Sequence, residues 1–423
     1  MSFDLERWLA RAQVQGIKLG LDNIRGALAA LGEPQTAYPS VLVGGTNGKG
    51  STVAFAVAIL QALGLRVGST VSPHLTEYRE RFLLNGEPIA HEDLELLAAG
   101  VAERIDGDPR CPDITFFELG VALALEWFAQ QSVDVAVVEV GMGGEFDATR
   151  ACGPVACAIT TVDLDHVKHL GPTLADIAGT KARVLDPGGL LVVGETRPDR
   201  LQVIQREVEA LGGSIVLRGR DFSITEAGGG LRYRSRALDV DGLSLGLRGR
   251  HQWANAATAV ALVEALCARS DLPLPTAEAV RKGLANPRLA GRQESRRLRG
   301  GPVLLDGAHN PAGALTLAES LAAVPRPPRR VWLYAAMNDK DRGPILDALL
   351  PHVDAVWCTR GASTPRFEEP GVLADEVRAR GVEARVFASV PEALAAVSAD
   401  VGELLVAGSL YLVGDVRPLL DPA

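Results

Sequence analysis

The chain has 423 residues, 47% of them hydrophobic and 22% charged, with a formal net charge of −9. That length suits two or three domains of about 150 residues, and the acidic balance excludes a broad nucleic-acid or anionic-membrane surface, which needs clustered Lys and Arg. Five scattered cysteines, an opening Met1-Ser2-Phe3-Asp4-Leu5-Glu6 with no basic or apolar leader, and no long apolar run predict a soluble, cytoplasmic protein.

Residues 41–43 are predicted as a strand that runs into glycines, and 52–63 as a helix with apolar residues on most faces. A second strand is expected over 65–71. A long helix follows over 115–131, then the run 133–140, whose β-branched density is that of a strand buried on both faces. Such alternation predicts a parallel sheet wrapped by helices. Between residues 214 and 247 the pattern turns to period 2, notably over 231–236 and 243–247, with Gly-rich turns between. A small antiparallel appendage is expected there, before helical pattern returns over 254–268. Asn286-Pro287-Arg288-Leu289-Ala290-Gly291-Arg292 breaks the pattern, and strands restart at 303–305, 331–335, 355–358 and 404–407. The fold class is therefore α/β: a parallel-sheet domain (1–286) with the antiparallel appendage, a linker (287–293), and a smaller Rossmann-like C-terminal α/β domain (294–423).

The most informative local feature is Gly44-Gly45-Thr46-Asn47-Gly48-Lys49-Gly50-Ser51, set between strand and helix. Glycines let backbone N–H groups turn toward an anion, and a helix N-terminus adds its positive dipole end. Thr46, Asn47, Gly48, Lys49, Gly50 and Ser51 are thus expected to bind ATP. Lys49 supplies a charge for the β- and γ-phosphates, and Ser51 a hydroxyl near a bound metal. Glu139 closes the buried strand at its carboxyl edge, where open α/β sheets place ligands, and suits Mg²⁺.

Gly50, inserted between the lysine and the hydroxyl residue, departs from the generic phosphate loop. Gly-Thr-Asn-Gly-Lys-Gly-Ser resembles instead the loop of the folylpolyglutamate synthase / dihydrofolate synthase family of the Mur-ligase superfamily. Further stretches resemble the same family in order: Ser72-Pro73-His74-Leu75 with Glu80-Arg81, Glu139-Val140-Gly141-Met142-Gly143-Gly144 with Asp147-Ala148-Thr149, Leu164-Asp165-His166, and Lys181-Ala182. His251-Gln252, Asn255-Ala256-Ala257, Gly291-Arg292, Asp306-Gly307-Ala308-His309-Asn310-Pro311, Asp339-Lys340-Asp341 and Gly408-Ser409 complete the series, which runs from about Ile17 to Val416.

The resemblance implies ATP-dependent ligation of L-glutamate to dihydropteroate or to a folate γ-carboxyl through an acyl phosphate, by a monomer. It places Ser72 and Glu139 on one Mg²⁺, and His166 with Glu139 on a second. Lys181 is expected as a carbamylated lysine, and Lys49, His166 and Lys181 as the catalytic set. Asn255, Arg292 and Asp306 would contact the nucleotide. Thr115, Phe116, Phe117 and Glu118 would line the pterin pocket, where aromatic rings stack on a flat heterocycle. His309 and Ser409 would hold the incoming glutamate. His169 has no implied role.

Where the family reads Arg-Leu-Asp-Ala-Thr-Asn, this chain has Glu145-Phe146-Asp147-Ala148-Thr149-Arg150. The two charge changes either exchange partners locally or retune the acceptor pocket. Two alternatives follow: a Mur-type ligase with a non-folate carboxylate acceptor, and a non-catalytic nucleotide-binding protein. A cell-wall precursor ligase is disfavoured, because about 40 residues ahead of the phosphate loop leave no room for its extra N-terminal domain.

Overall fold

A computed structural model describes residues 3–16 and 20–422; Met1, Ser2 and Ile17 lie outside the described residues. The chain forms two compact units. One comprises Met1–His74, Tyr78–Gly246 and Gln252–Arg288, the other Leu75–Glu77, Leu247–His251 and Leu289–Ala423. Among the described residues no helix is long and apolar enough to cross a membrane, and all five cysteines are buried thiols.

Among the described residues the first unit has a main sheet of eight strands: β1 (Ser40–Gly44), β2 (Val67–Thr70), β3 (Leu83–Leu84), β4 (Glu87–Pro88), β5 (Val135–Glu139), β6 (Ala156–Ile159), β7 (Leu190–Val193) and β8 (Ser214–Leu217). Their order is β4-β3-β2-β5-β1-β6-β7-β8. From β2 to β8 every pair is parallel, while β3 and β4 form an antiparallel edge. β1 and β5 are buried at every position, as central parallel strands must be.

The helix Lys49–Ala62 is buried throughout from Gly50 to Leu60. It packs against β1, β2 and β5 and against the helices Gln252–Cys267 and Ala277–Ala285, which explains its apolar residues on every face. The helix Phe116–Gln130 starts at a capping box. Thr115 Oγ1 accepts from the Glu118 backbone N–H at 3.2 Å, and Glu118 Oε2 accepts from the Thr115 N–H at 2.9 Å.

The appendage is smaller than its period-2 pattern predicts. Ser214–Leu217 is the eighth strand of the main sheet, and 244–247 is not strand. Only β9 (Phe222–Ala227), β10 (Gly230–Ser235) and β11 (Asp239–Leu243) make the antiparallel sheet.

In the second unit β12 (Glu294–Leu298), β13 (Gly301–Leu305), β14 (Arg330–Tyr334), β15 (Ala355–Cys358), β16 (Glu383–Val386) and β17 (Glu403–Ala407) run in the order β12-β13-β17-β14-β15-β16. All pairs are parallel except β12–β13. The edge strands β12 and β16 are polar and half-exposed, so their hydrophobic signal is weak.

Candidate active site

Four neighbouring strands, β2, β5, β1 and β6, end at one level: Thr70 pairs with Val138, Val43 with Glu139 and Gly44 with Ile159. Their carboxyl ends therefore carry Ser72, Glu139, the loop from Gly44 to Ser51, and Thr160 to Asp163 to one edge, where doubly wound sheets bind ligands.

The phosphate loop is held from outside. Thr46 N–H donates to Thr161 O at 2.7 Å, Thr46 Oγ1 to Asp163 O at 3.1 Å, and Thr160 Oγ1 to Asn47 O at 2.6 Å. Gly45 and Gly48 have φ of +136° and +88°, and a Cβ on Gly45 would fall 1.9 Å from Thr160 Oγ1. At Gly48 a Cβ would fall 2.3 Å from Asn255 Oδ1, so Asn255 stands against the loop. Asn255 is held in turn by donating to Gln252 Oε1 at 2.9 Å. Ser51 is buried at the head of the helix. Lys49 Nζ folds back onto Gly45 O and Thr46 O, 3.2 Å from each.

Lys181 Nζ reaches the same Gly45 carbonyl at 3.0 Å, from the end of the helix Leu174–Ala182. It is 5% exposed, not a surface lysine. Burial, and then the Lys49 charge, lower its pKa from 10.5 to about 7. Glu139 is buried, and its Oε2 lies 3.4 Å from the Ser72 N–H. Burial pushes the Asp147 carboxyl up, against hydrogen bonds from Met142 and Thr149. That carboxylate fixes the double-glycine loop. His166 is exposed, in the left-handed region at φ +52°, with its N–H on Asp165 Oδ1 at 2.9 Å.

Among the described residues no three or more of His, Cys, Asp and Glu gather as a metal cage. Mg²⁺ needs no such cage, since it takes one or two carboxylates and completes its shell with phosphate and water. Glu139 beside Ser72 at the strand edge fits that requirement.

The charge changes resolve into local pairs. Arg183 donates to Glu145 Oε2 at 3.1 Å and to Glu207 Oε2 at 2.8 Å. Arg150 donates to Asp186 Oδ1 at 2.5 Å and to Glu145 O at 2.7 Å.

Thr115 and Glu118, expected in a pterin pocket, are buried and engaged in the capping box. Phe117 packs its ring on Gly141. Phe116 lies 5.2 Å from the Tyr78 ring, and the Arg81 guanidinium sits 5.3 Å over it. Arg81 donates to His74 Nδ1 at 2.9 Å, and burial with the Arg81 charge lowers the His74 pKa to about 4, keeping it neutral. His74, Tyr78 and Arg81 thus join Phe116 in an aromatic and cationic cluster. The motif residues His74 and Arg81 were visible in the sequence, but without a role.

In the second unit Asp306 and Ser409 follow the neighbouring strands β13 and β17. Asp306 Oδ2 accepts from the Gln293 N–H at 3.0 Å and Oδ1 from Ala308 at 2.8 Å. Burial raises its pKa against the charge of Arg292. His309 Nδ1 is 2.8 Å from Gly307 O, and the Gly408 N–H donates to Ala308 O at 2.9 Å, joining the two loops. Ser409 is buried, and its hydroxyl caps the helix Leu410–Val416.

Sequence reasoning missed the brace behind the phosphate loop. Arg197 donates to Asp163 Oδ1 at 2.6 Å and to Val162 O at 2.8 Å. Arg200 adds a second bond to Val162 O at 2.8 Å. Arg197→Met should raise KM for ATP about tenfold and leave kcat within a few-fold, since it loosens a support without removing a phosphate contact. Initial-rate kinetics with varied ATP checks this, and an unchanged KM would mean that the loop holds its shape unaided.

Two domain families match the chain: the Mur ligase middle domain over residues 43–263, and the Mur ligase glutamate ligase domain over 291–410. A Haloferax volcanii protein named as a probable bifunctional folylpolyglutamate synthase/dihydropteroate synthase is 37% identical over 98% of this chain, which spans about half (49%) of that relative's length. The solved structure of Mycobacterium tuberculosis folylpolyglutamate synthase complexed with ADP superposes with a TM-score of 0.89 at 32% identity, over 99% of this chain and 98% of that one. A bifunctional folylpolyglutamate synthase/dihydrofolate synthase with Mn, AMPPNP and L-glutamate bound gives a TM-score of 0.86 at 32% identity, over 99% and 98%. The strand-edge loops and both domain matches agree: the chain belongs to the folylpolyglutamate synthase / dihydrofolate synthase family of Mur ligases.

Proposed function

We propose that the protein is an ATP-dependent carboxylate–amine ligase, a cytoplasmic monomer, that adds L-glutamate to dihydropteroate, to the γ-carboxyl of a tetrahydrofolate, or to both. The observation that carries this is the placing of the Gly-Thr-Asn-Gly-Lys-Gly-Ser loop and Glu139 on adjacent strand ends. Solved relatives with ADP, or with AMPPNP and L-glutamate, support the same reading.

The γ-phosphoryl group passes from ATP to the acceptor carboxylate, leaving ADP and an acyl phosphate. The glutamate amine then attacks the acyl carbon, an amide forms, and inorganic phosphate and a proton leave. Such transfers depend on positioning and charge neutralisation. The loop from Thr46 to Ser51 would cradle the phosphates, with Lys49 on the β- and γ-oxygens and Asn255 at the loop. Glu139 and Ser72 would hold one Mg²⁺ ion and His166 with Glu139 a second, which when bound offset phosphate charge. Phe116 and Phe117 are proposed for the pterin, Arg292 and Asp306 for the nucleotide, and His309 and the Ser409 loop for glutamate. Lys181 is proposed to act as its carbamate. Because Glu145 and Arg150 are each locally paired, they give no reason to seek another acceptor.

The test is glutamate-dependent phosphate release from ATP and Mg²⁺, in parallel with 7,8-dihydropteroate and tetrahydrofolate. Release with both marks a bifunctional enzyme, and release with one names the reaction. No release with either, given ATP binding, overturns the folate assignment.

A further inference from the structure

The double-glycine loop, which leaves β5 after Glu139, lies directly on the helix end that carries Lys181. At Gly144 a Cβ would fall 2.6 Å from Thr180 O, 2.9 Å from Lys181 O and 3.1 Å from the Val184 nitrogen. Any side chain there would lift the loop off the last turn of the helix Leu174–Ala182. The next residue extends the contact, since the Glu145 N–H donates to Thr180 O at 3.3 Å. The approach is backbone on backbone.

Two arginines close on it from opposite sides. From the helix side Arg183 donates to Glu145 Oε2 at 3.1 Å, and also to Glu207 Oε2 at 2.8 Å on the helix Pro198–Ala210. From the loop side Arg150 donates to Glu145 O at 2.7 Å and to Asp186 Oδ1 at 2.5 Å. Glu145 is thus engaged through its N–H, its carbonyl and its carboxylate. Glu145 and Arg150 are the two charge changes in the segment Glu145 to Arg150, and both tie the loop to residues 180–186. Arg183 and Glu145 have side chains 45% and 32% exposed, and pairs of that kind contribute little to stability. A displacement of one ångström at a reacting centre can lower a rate on the order of 10²-fold. The clamp therefore bears more on rate than on folding.

We propose that Glu145, Arg150 and Arg183 are positioning residues of the ligase centre, which clamp the double-glycine loop onto the helix end and so fix Lys181 relative to Glu139. They act through Lys181 and not on substrate. The effect on rate rests on the proposed ligase function, while the fixing of Lys181 does not.

The test uses the full chain as Glu145→Gln, Arg183→Gln, the double variant and Arg150→Met. A short pulse of acetic anhydride in carbon-dioxide-free buffer, followed by peptide mass spectrometry, compares the buried Lys181 with the exposed Lys282 as internal reference. Relative to Lys282, Lys181 should be acetylated about tenfold faster in Arg183→Gln and Arg150→Met than in wild type. In the same variants kcat for glutamate-dependent phosphate release should fall about tenfold, with KM for ATP within about threefold. Tm should drop by no more than about 4 °C. The double variant should match Arg183→Gln in both readouts, because Glu145 then has no side-chain partner left to lose. Unchanged acetylation of Lys181 in every variant overturns the proposal. So does a fall in kcat that only accompanies a large loss of Tm, or a double variant in which the two single effects multiply. A wild type that releases no phosphate would sink the ligase reading, and acetylation alone would then decide the clamp. If Arg150→Met fails to fold, the more exposed Glu145 and Arg183 variants decide it.

Discussion

Lys49→Met should lower kcat for glutamate-dependent phosphate release about 10³-fold, with a much smaller rise in KM for ATP. A preorganised donor aimed at charge that builds up in the transition state contributes about 10²–10³ in rate, near 3–4 kcal/mol. The ammonium rests on two loop carbonyls, Gly45 O and Thr46 O, at 3.2 Å each. Those are the oxygens that phosphate oxygens would replace, so the side chain is already aimed into the loop. Its backbone position is set by the helix start, so methionine, of similar length, keeps the fold. Steady-state kinetics together with ATP-analogue binding separates the two effects. A kcat within tenfold of wild type would show that the loop N–H groups and the metal neutralise the phosphates without the lysine, and would remove Lys49 from the catalytic set.

The parts of this site legible in the sequence are those set by local composition. A glycine loop between strand and helix needs only its own residues, and the run into Glu139 reads as a buried strand because Val135, Val137 and Val138 are β-branched. The brace is another matter. Thr160 reaches Asn47 across 113 positions and Arg197 reaches Asp163 across 34, so no window of sequence contains the pairing. Glu145 with Arg183 is the same case at 38 positions, and there the sequence left open whether the charges exchange partners or retune the pocket.

Thr115 and Glu118 show the converse. The Thr-x-x-Glu pattern ahead of an apolar run is a helix-start signal in its own right, and here it forms the capping box. Ser214–Leu217 reads from sequence as part of the appendage because four residues are too few for periodicity to tell a last parallel strand from a first antiparallel one. His74 became interpretable only once Arg81 was seen donating to its ring nitrogen beside Tyr78 and Phe116.

Lys181→Met should abolish a protein-bound carbamate carbonyl signal that the wild type gives in ¹³C NMR with ¹³C-bicarbonate, and should lower kcat about 10²-fold or more. Two ammonium groups share one carbonyl oxygen: Lys181 Nζ is 3.0 Å and Lys49 Nζ 3.2 Å from Gly45 O. Lys49 is the more accessible of the two, so the penalty falls on the buried Lys181, whose pKa drops to about 7. A neutral amine can therefore form near physiological pH and add to carbon dioxide, releasing one proton and becoming an anion. Repulsion between Lys181 and Lys49 is thereby turned into attraction.

Unmodified Lys181 has a second signature, in carbon-dioxide-free buffer. Its folded pKa of about 7 lies below the 10.5 of a lysine in the unfolded chain. Between those values the unfolded chain holds one more proton, so stability rises with pH. The gain is about 1.4 kcal/mol per pH unit, and the full burial penalty is felt below pH 7. Urea unfolding between pH 7 and 9 should show that slope as the difference between wild type and Lys181→Met. A wild type with neither the slope nor the carbamate signal would mean that Lys181 keeps its proton, and that some other anion must compensate two cations at one carbonyl.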